Sequence, residues 1–154
     1  MNSRKWLMKT EPDVYSIDDL ATQKRTPWEG IRNYQARNFM MKDMTIGDEV
    51  FIYHSNAKPP GIVGLAKVCS KPYPDHFAWD DTSPYFDPKS PQSSPRWFMV
   101  DIAFIQKFDA MVTLEQLKKD ARLQGMMVTK KGSRLSIQPV QDDEFSYIIS
   151  TYLS

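Results

Sequence analysis

Glu49-Val50-Phe51-Ile52-Tyr53-His54, then Ser55-Asn56-Ala57-Lys58-Pro59-Pro60-Gly61, then Ile62-Val63-Gly64-Leu65-Ala66-Lys67-Val68-Cys69-Ser70, is the stretch that decides the fold class. The two outer runs are rich in β-branched and aromatic residues, and the Pro-Pro-Gly between them is a turn signal, so they read as strands. Three more runs of the same kind lie outward from them, at Trp6–Lys9, Trp97–Phe108 and Leu135–Val140. Helix signals fall between and after these runs. Ser16 with Asp19, and Thr113 with Gln116, have the spacing of capping boxes. Ala36, Phe39, Met40 and Met44 approximate one apolar stripe over residues 33–44, and Phe145, Ile148, Ile149 and Tyr152 form a clearer one near the carboxyl end. Strands and helices interleaved this irregularly predict an α+β fold, a curled mixed β-barrel of about five to six strands with short flanking helices, rather than a doubly wound parallel sheet.

A chain of 154 residues is long enough to bury one core and too short for two large ones, so a single domain over residues 1–154 is expected. Twenty basic against nineteen acidic residues exclude a histone-like polyelectrolyte but leave room for a compact basic face. The charge is in fact segregated. Between Leu117 and Leu135 stand Lys118, Lys119, Arg122, Lys130, Lys131 and Arg134 against Asp120 alone, whereas Asp75, Asp80, Asp81 and Asp87 have no Lys or Arg among them. Such polarity suits an anionic polymer approaching one side, since phosphate contacts dominate non-specific affinity; it is also what an ordinary solvated surface looks like.

No apolar run reaches the ~18 residues of a membrane span, and the amino terminus lacks a secretory signal, which predicts a cytoplasmic protein, nuclear in a eukaryote. Cys69 is the only cysteine and reads as a small buried side chain; with His54 and His76 it makes no zinc-type spacing, so neither metal nor cofactor is expected. Neither Gly-x-Gly-x-x-Gly nor Gly-x-x-x-x-Gly-Lys occurs, so the phosphate-cradling nucleotide folds lack their fingerprint. No coiled-coil heptad is present, and a monomer is the default expectation.

Six of the eleven prolines lie between Pro72 and Pro95. Tyr73, Phe77, Trp79, Tyr85 and Phe86 in the same stretch argue for an ordered long loop folded onto the body, either roofing a site or tied down by its own aromatics.

Two clusters carry possible chemistry. In Trp28-Glu29-Gly30-Ile31-Arg32-Asn33-Tyr34-Gln35-Ala36-Arg37-Asn38, Asn33 is a good helix cap, Arg32 and Arg37 can pair with phosphate, and Trp28 and Tyr34 offer flat π-faces. Stacking a base on such a ring is worth roughly 1–3 kcal/mol in single-strand binders. Core aromatics beside solvated arginines fit the same residues. In Tyr53-His54-Ser55-Asn56, at a strand end, Ser and Asn present donors and acceptors to a heterocycle edge, while His54 is a candidate general base and simple turn chemistry is the plain alternative.

Taken together and in order, Trp6-Leu7-Met8-Lys9-Thr10-Glu11-Pro12, the cluster from Trp28 to Asn38, Tyr53-His54-Ser55-Asn56, Gly61-Ile62-Val63-Gly64, Pro95-Arg96-Trp97-Phe98-Met99-Val100-Asp101 and Arg134-Leu135-Ser136-Ile137-Gln138-Pro139-Val140 resemble the hallmark segments of the EVE domain family. The resemblance spans essentially the whole chain. Its departures are conservative: Thr10 where Ser is frequent, and Ile31 and Ile137 where Val is frequent. It implies a PUA-like curled barrel, related to the YTH and ASCH domains, with a pocket for a single modified base of DNA or RNA, and a binding module more than a catalyst. Carried over by position, Trp28 and Trp97 become aromatic walls, with Asn33, Ser55, Asn56 and Ser136 on the base edge. Lys9, Arg32, Arg37 and Arg96 then hold phosphate or polar groups of the pocket, while the Tyr34 ring and, from the basic stretch, Lys130 and Lys131 are read from the residues themselves as a further stacking face and backbone attraction. An enzyme acting on a nucleotide or modified nucleoside, and a protein-interaction module built on the Pro72–Pro95 loop, are the competing readings.

Overall fold

The computed structural model describes residues 4–132 and 134–153. Its centre is a six-stranded mixed sheet, curled into a half-barrel. Strand β1 is Lys5–Thr10, β2 Arg25–Pro27, β3 Glu49–His54, β4 Gly61–Val68, β7 Asp101–Thr113 and β8 Ile137–Val140, in the order β2-β7-β4-β3-β1-β8. The short strands β5 (Tyr73–Pro74) and β6 (Phe98–Met99) pair separately within the long loop and its return. Among the described strands only the β1–β3 pair is parallel, with Lys9 opposite Tyr53 and Thr10 opposite His54, so their carboxyl ends open together on one side of the sheet.

The central strands read as continuous apolar runs because both faces are covered. Trp6, Met8, Val50 and Ile52 pack into one cluster with Ile17, Leu20 and Met40; Leu7, Phe51 and Tyr53 pack into the other with Leu117, Leu123, Phe145 and Ile148. Helix α1 (Ile17–Gln23) lies close enough for Ile17 to touch Gly64, where an added Cβ would stand 2.5 Å from its side chain. The capping boxes form as the spacing predicts: Ser16 with Asp19 opens α1, and Thr113 with Gln116 opens α3 (Leu114–Lys119). Helix α2 (Tyr34–Asn38) is capped by the Asn33 side chain accepting from the Ala36 N–H, and continues as a π-helical turn over Phe39–Asp43. Helix α4 (Asp142–Tyr152) buries Phe145 and Ile148.

The structure departs from the sequence reading in four places. The Trp97–Phe108 run divides into β6 and β7 at Val100, because β6 pairs with β5 while β7 pairs with β2 and β4. Strands β2 and β5 escape a propensity reading because each has two or three residues and contains a proline, Pro27 or Pro74. Cys69 is half-buried rather than buried, and its backbone N–H bonds to Asp101 O at 2.9 Å. His54 is a structural acceptor: its Nε2 receives the Ile17 N–H at 3.1 Å, tying the end of β3 to the first turn of α1. Burial lowers its pKa, with Lys107 acting in the same direction and Asp18 opposing. A fully buried carboxylate pins the other end of the same strands. Asp48 accepts from Arg4 N–H, Trp6 Nε1–H, and both the N–H and hydroxyl of Thr45, all at 2.9–3.0 Å.

Candidate functional site

A cavity of about 1100 Å³ opens where β1 and β3 end. Backbone bonds set its rim: Ser55 N–H donates to Thr10 O at 3.0 Å, and Lys9 N–H to Ser136 O at 2.8 Å, which brings the residue before β8 alongside β1. The Asn56 amide donates to Glu11 Oε1 at 2.7 Å, and Asn56 takes a left-handed φ of 52°, a conformation Asn tolerates better than most residues. Thr10 donates its hydroxyl to Tyr15 O at 2.8 Å, and Tyr15 in turn meets Trp28 edge-on with ring centroids 6.3 Å apart.

Of the residues singled out from the sequence, Lys9, Trp28, Ser55, Asn56 and Ser136 converge on this cavity. Lys9 sits 5.7 Å from the Tyr53 ring, and burial lowers its pKa. The hydroxyls of Ser55 and Ser136 make no hydrogen bond to the described residues, which leaves both open to a ligand. Tyr15, Tyr85, Glu29 and Arg134 also line the cavity, although the sequence reading assigned them no site role. The aromatic density of the Pro72–Pro95 loop was the signal for Tyr85. Gly30, at φ 80°, is what admits it: a Cβ there would lie 2.6 Å from the Tyr85 ring.

The remaining residues form the scaffold next to the cavity rather than its lining. Arg32 donates through Nη1 to the buried Asp75 at 3.0 Å and through Nη2 to Tyr85 O at 2.6 Å. Asp75 also accepts Gly30 N–H at 2.9 Å and Phe77 N–H at 3.0 Å, so it clasps the long loop to the Trp28–Arg32 segment. Trp97 is buried, and its Nε1–H donates to Asp87 at 2.6 Å, a bond that is the chief cause holding the Asp87 carboxyl below its ordinary pKa. Arg37 donates to Arg96 O at 2.8 Å, and Arg96 to Lys89 O at 3.1 Å. The rings and guanidinium groups stack in an unbroken series: Arg32 lies 5.7 Å from Tyr85 and 5.4 Å from Trp97, Trp97 stacks on Tyr34 at 4.9 Å, and Arg37 lies 4.7 Å from Tyr34. Of that series Tyr34 is the exposed ring, at 51%. Lys130 and Lys131 are exposed on the segment that leads toward Arg134 at the cavity.

A curled half-barrel whose parallel strand ends open on an aromatic-sided cavity of this size can take a flat heterocycle and offer hydrogen bonds to its edge. Among the described residues no group of three or more His, Cys, Asp or Glu is placed to hold a metal ion, and no helix is long and apolar enough to cross a membrane.

Residues 4–151 match the EVE domain model, and the chain belongs to the EVE domain family. It is 40% identical to thymocyte nuclear protein 1 of Homo sapiens over 96% of this chain and 73% of that protein. Among solved structures, a hypothetical protein from Leishmania major is 48% identical with a TM-score of 0.91, covering 97% of this chain and 94% of its own. The human THYN1 protein in complex with 5-methylcytosine-containing DNA is 40% identical with a TM-score of 0.90, covering 96% of each chain.

Proposed function

We propose that this chain is a non-catalytic reader of modified cytosine in DNA, which takes the modified base into the cavity between Lys9–Thr10 and Ser55–Asn56. The observation that carries this reading is the convergence of Trp28, Lys9, Ser55, Asn56 and Ser136, drawn from four separate segments, on one cavity with room for a base and the sugar-phosphate beside it. The 5-methylcytosine-containing DNA bound to the similar human THYN1 protein supports DNA as the polymer and cytosine as the base. Binding without turnover is favoured by His54, the histidine adjoining the cavity, whose Nε2 is taken by Ile17 N–H.

In this reading a base leaves its stack at a cost of a few kcal/mol, and ring contacts with Trp28, Tyr15 and Tyr85 offset it together with hydrogen bonds to Ser55 and Ser136. Asn33, Arg32, Trp97, Arg37 and Arg96 act on the base indirectly, by holding α2 and the long loop in place, while the exposed Tyr34 meets the polymer next to the flipped base. Lys130, Lys131 and Arg134 attract phosphates.

Intrinsic tryptophan fluorescence tests this directly. Duplex and single-stranded DNA and RNA oligonucleotides, each with one plain or modified base, are titrated at fixed salt. Saturable quenching at lower concentration by 5-methylcytosine DNA than by plain cytosine DNA is the expected result, and Trp28→Ala removes that preference. A flat response across the panel, or an unchanged preference in Trp28→Ala, overturns the assignment.

A further inference from the structure

A reader of 5-methylcytosine faces a specific chemical problem, because thymine carries the same methyl group on the same ring carbon. Apolar contact with that methyl cannot separate the two bases. They differ on the adjacent edge, where cytosine has a 4-amino donor and an unprotonated N3, and thymine has an O4 acceptor and a protonated N3. The cavity therefore needs an acceptor facing the exocyclic amine, with no competing partner of its own.

The side chains of the cavity can be sorted on this basis. Glu11 already accepts the Asn56 amide through Oε1 at 2.7 Å, which ties these two side chains to each other and makes Glu11 a partly satisfied acceptor. Tyr15 donates its hydroxyl to Gln23. Lys9 and Arg134 are donors only. Glu29, an exposed residue next to Trp28, is part of the cavity lining, and its carboxylate has no hydrogen bond or ion pair with any described residue. Its neighbour Gly30 is fixed by the N–H bond to buried Asp75, so the carboxylate is carried on a held backbone although its own oxygens are open. Asp75 and His76 are the charged and titratable groups that act on Glu29 from the long loop, and Lys9, Glu11 and Arg134 share its cavity. Partial burial, and then Asp75, raise its pKa, as befits a carboxylate short of donors.

We infer that Glu29 is the residue that makes the cavity specific for cytosine bases, accepting the exocyclic 4-amino group and repelling the O4 of thymine or uracil. The unpaired hydroxyls of Ser55 and Ser136 are free to donate to the N3 and O2 acceptors of the same base. This rests on the reading of the cavity as a base pocket. It adds a requirement that the methyl-reading function does not contain.

The test uses the full chain and four DNA duplexes identical except at one position, carrying cytosine, 5-methylcytosine, thymine or uracil opposite a mismatched partner that disfavours pairing equally. Dissociation constants are measured for the wild type, Glu29→Gln and Glu29→Ala, with thermal melts confirming that each variant folds. Loss of one charge-assisted hydrogen bond corresponds to roughly 10- to 100-fold in binding. The wild type is expected to prefer both cytosines to thymine and uracil by about that factor, and both variants to lose the preference. Glu29→Gln gains affinity for thymine, since its amide can turn a donor toward O4. An unchanged cytosine preference in both variants, or its absence from the wild type, overturns the role of Glu29. Failure of the base-reader proposal is seen separately, as equal wild-type binding of cytosine and 5-methylcytosine.

Discussion

His54 shows how one side chain can read as chemistry in the sequence and act as structure in the fold. It follows an apolar strand and precedes Ser55-Asn56, the position of a mounted general base, yet its Nε2 accepts the Ile17 N–H, and burial favours the neutral ring. The folded state thus binds a proton less readily than the unfolded chain, whose histidine titrates near ~6.5. Stability is therefore full above that value and falls as the pH drops through and below it. Thermal unfolding between about pH 7.5 and about pH 5 is expected to show a decline of a few degrees that is shallower in His54→Gln, which retains an acceptor but does not titrate. Parallel curves for the two proteins rule out a contribution from His54. Trp28 belongs to the same scale: its truncation is expected to cost selectivity before it costs overall affinity, since phosphate contacts lie elsewhere.

At the scale of elements, the Pro72–Pro95 loop is held by a few charged anchors. Asp75 receives Gly30 N–H, Phe77 N–H and Arg32, and Arg32 passes on to Tyr85 O, so one buried carboxylate couples the loop to the segment carrying Trp28 and Glu29. Replacing Asp75 by Ala leaves the Gly30 and Phe77 donors and the Arg32 charge without their acceptor, a loss on the order of 3–5 kcal/mol for a broken buried pair. Because the central sheet does not depend on these bonds, the effect is expected to concentrate in the loop. Amide hydrogen exchange in Asp75→Ala should quicken across residues 75–97 while β3 and β4 stay protected, and base binding should weaken as Tyr85 loses its seat. Uniform acceleration through the sheet contradicts this division of labour. A similar anchor docks α4: Asp120 accepts both Tyr147 and Tyr152 hydroxyls at 2.7 Å, and the Tyr152 bond is the chief reason its carboxyl lies below its ordinary pKa.

For the whole molecule, near-neutral total charge conceals a division between base reading and polymer attraction. Lys130 and Lys131 lie outside the cavity, whereas Arg134 lines it. The double variant Lys130→Ala with Lys131→Ala is expected to weaken binding to every DNA alike and to reduce the slope of log affinity against log salt by up to about 2, one for each phosphate no longer neutralised. The ratio of 5-methylcytosine to cytosine binding should not move. A changed ratio with an unchanged slope places these lysines in base recognition instead.

How much of this was legible in the chain follows from the range of the forces involved. Strand β3 begins and ends at the residues its apolar run marks out, and the boxes at Ser16 and Thr113 cap their helices, because propensity and capping act within a few residues. Strands β2 and β5 were not legible, since partners distant in sequence, β7 and β6, define them. The site divides in the same way. Trp28, Ser55 and Asn56 could be chosen for their chemistry, and Lys9 and Ser136 through the family resemblance, but nothing local separates Trp28, which lines the cavity, from Trp97, which stacks beneath Tyr34 and bonds to Asp87. Nor does anything local separate Arg134, at the cavity, from Arg32, whose guanidinium is taken up by Asp75 and Tyr85. The α+β class, the capped helices, the ordered aromatic loop and the chemical inventory of the site can be read from local propensity, capping and composition along the chain. Which members of that inventory share a cavity depends on the folded arrangement, because the parallel pairing of β1 with β3 joins residues more than forty positions apart, through contacts that leave no periodic mark on the chain.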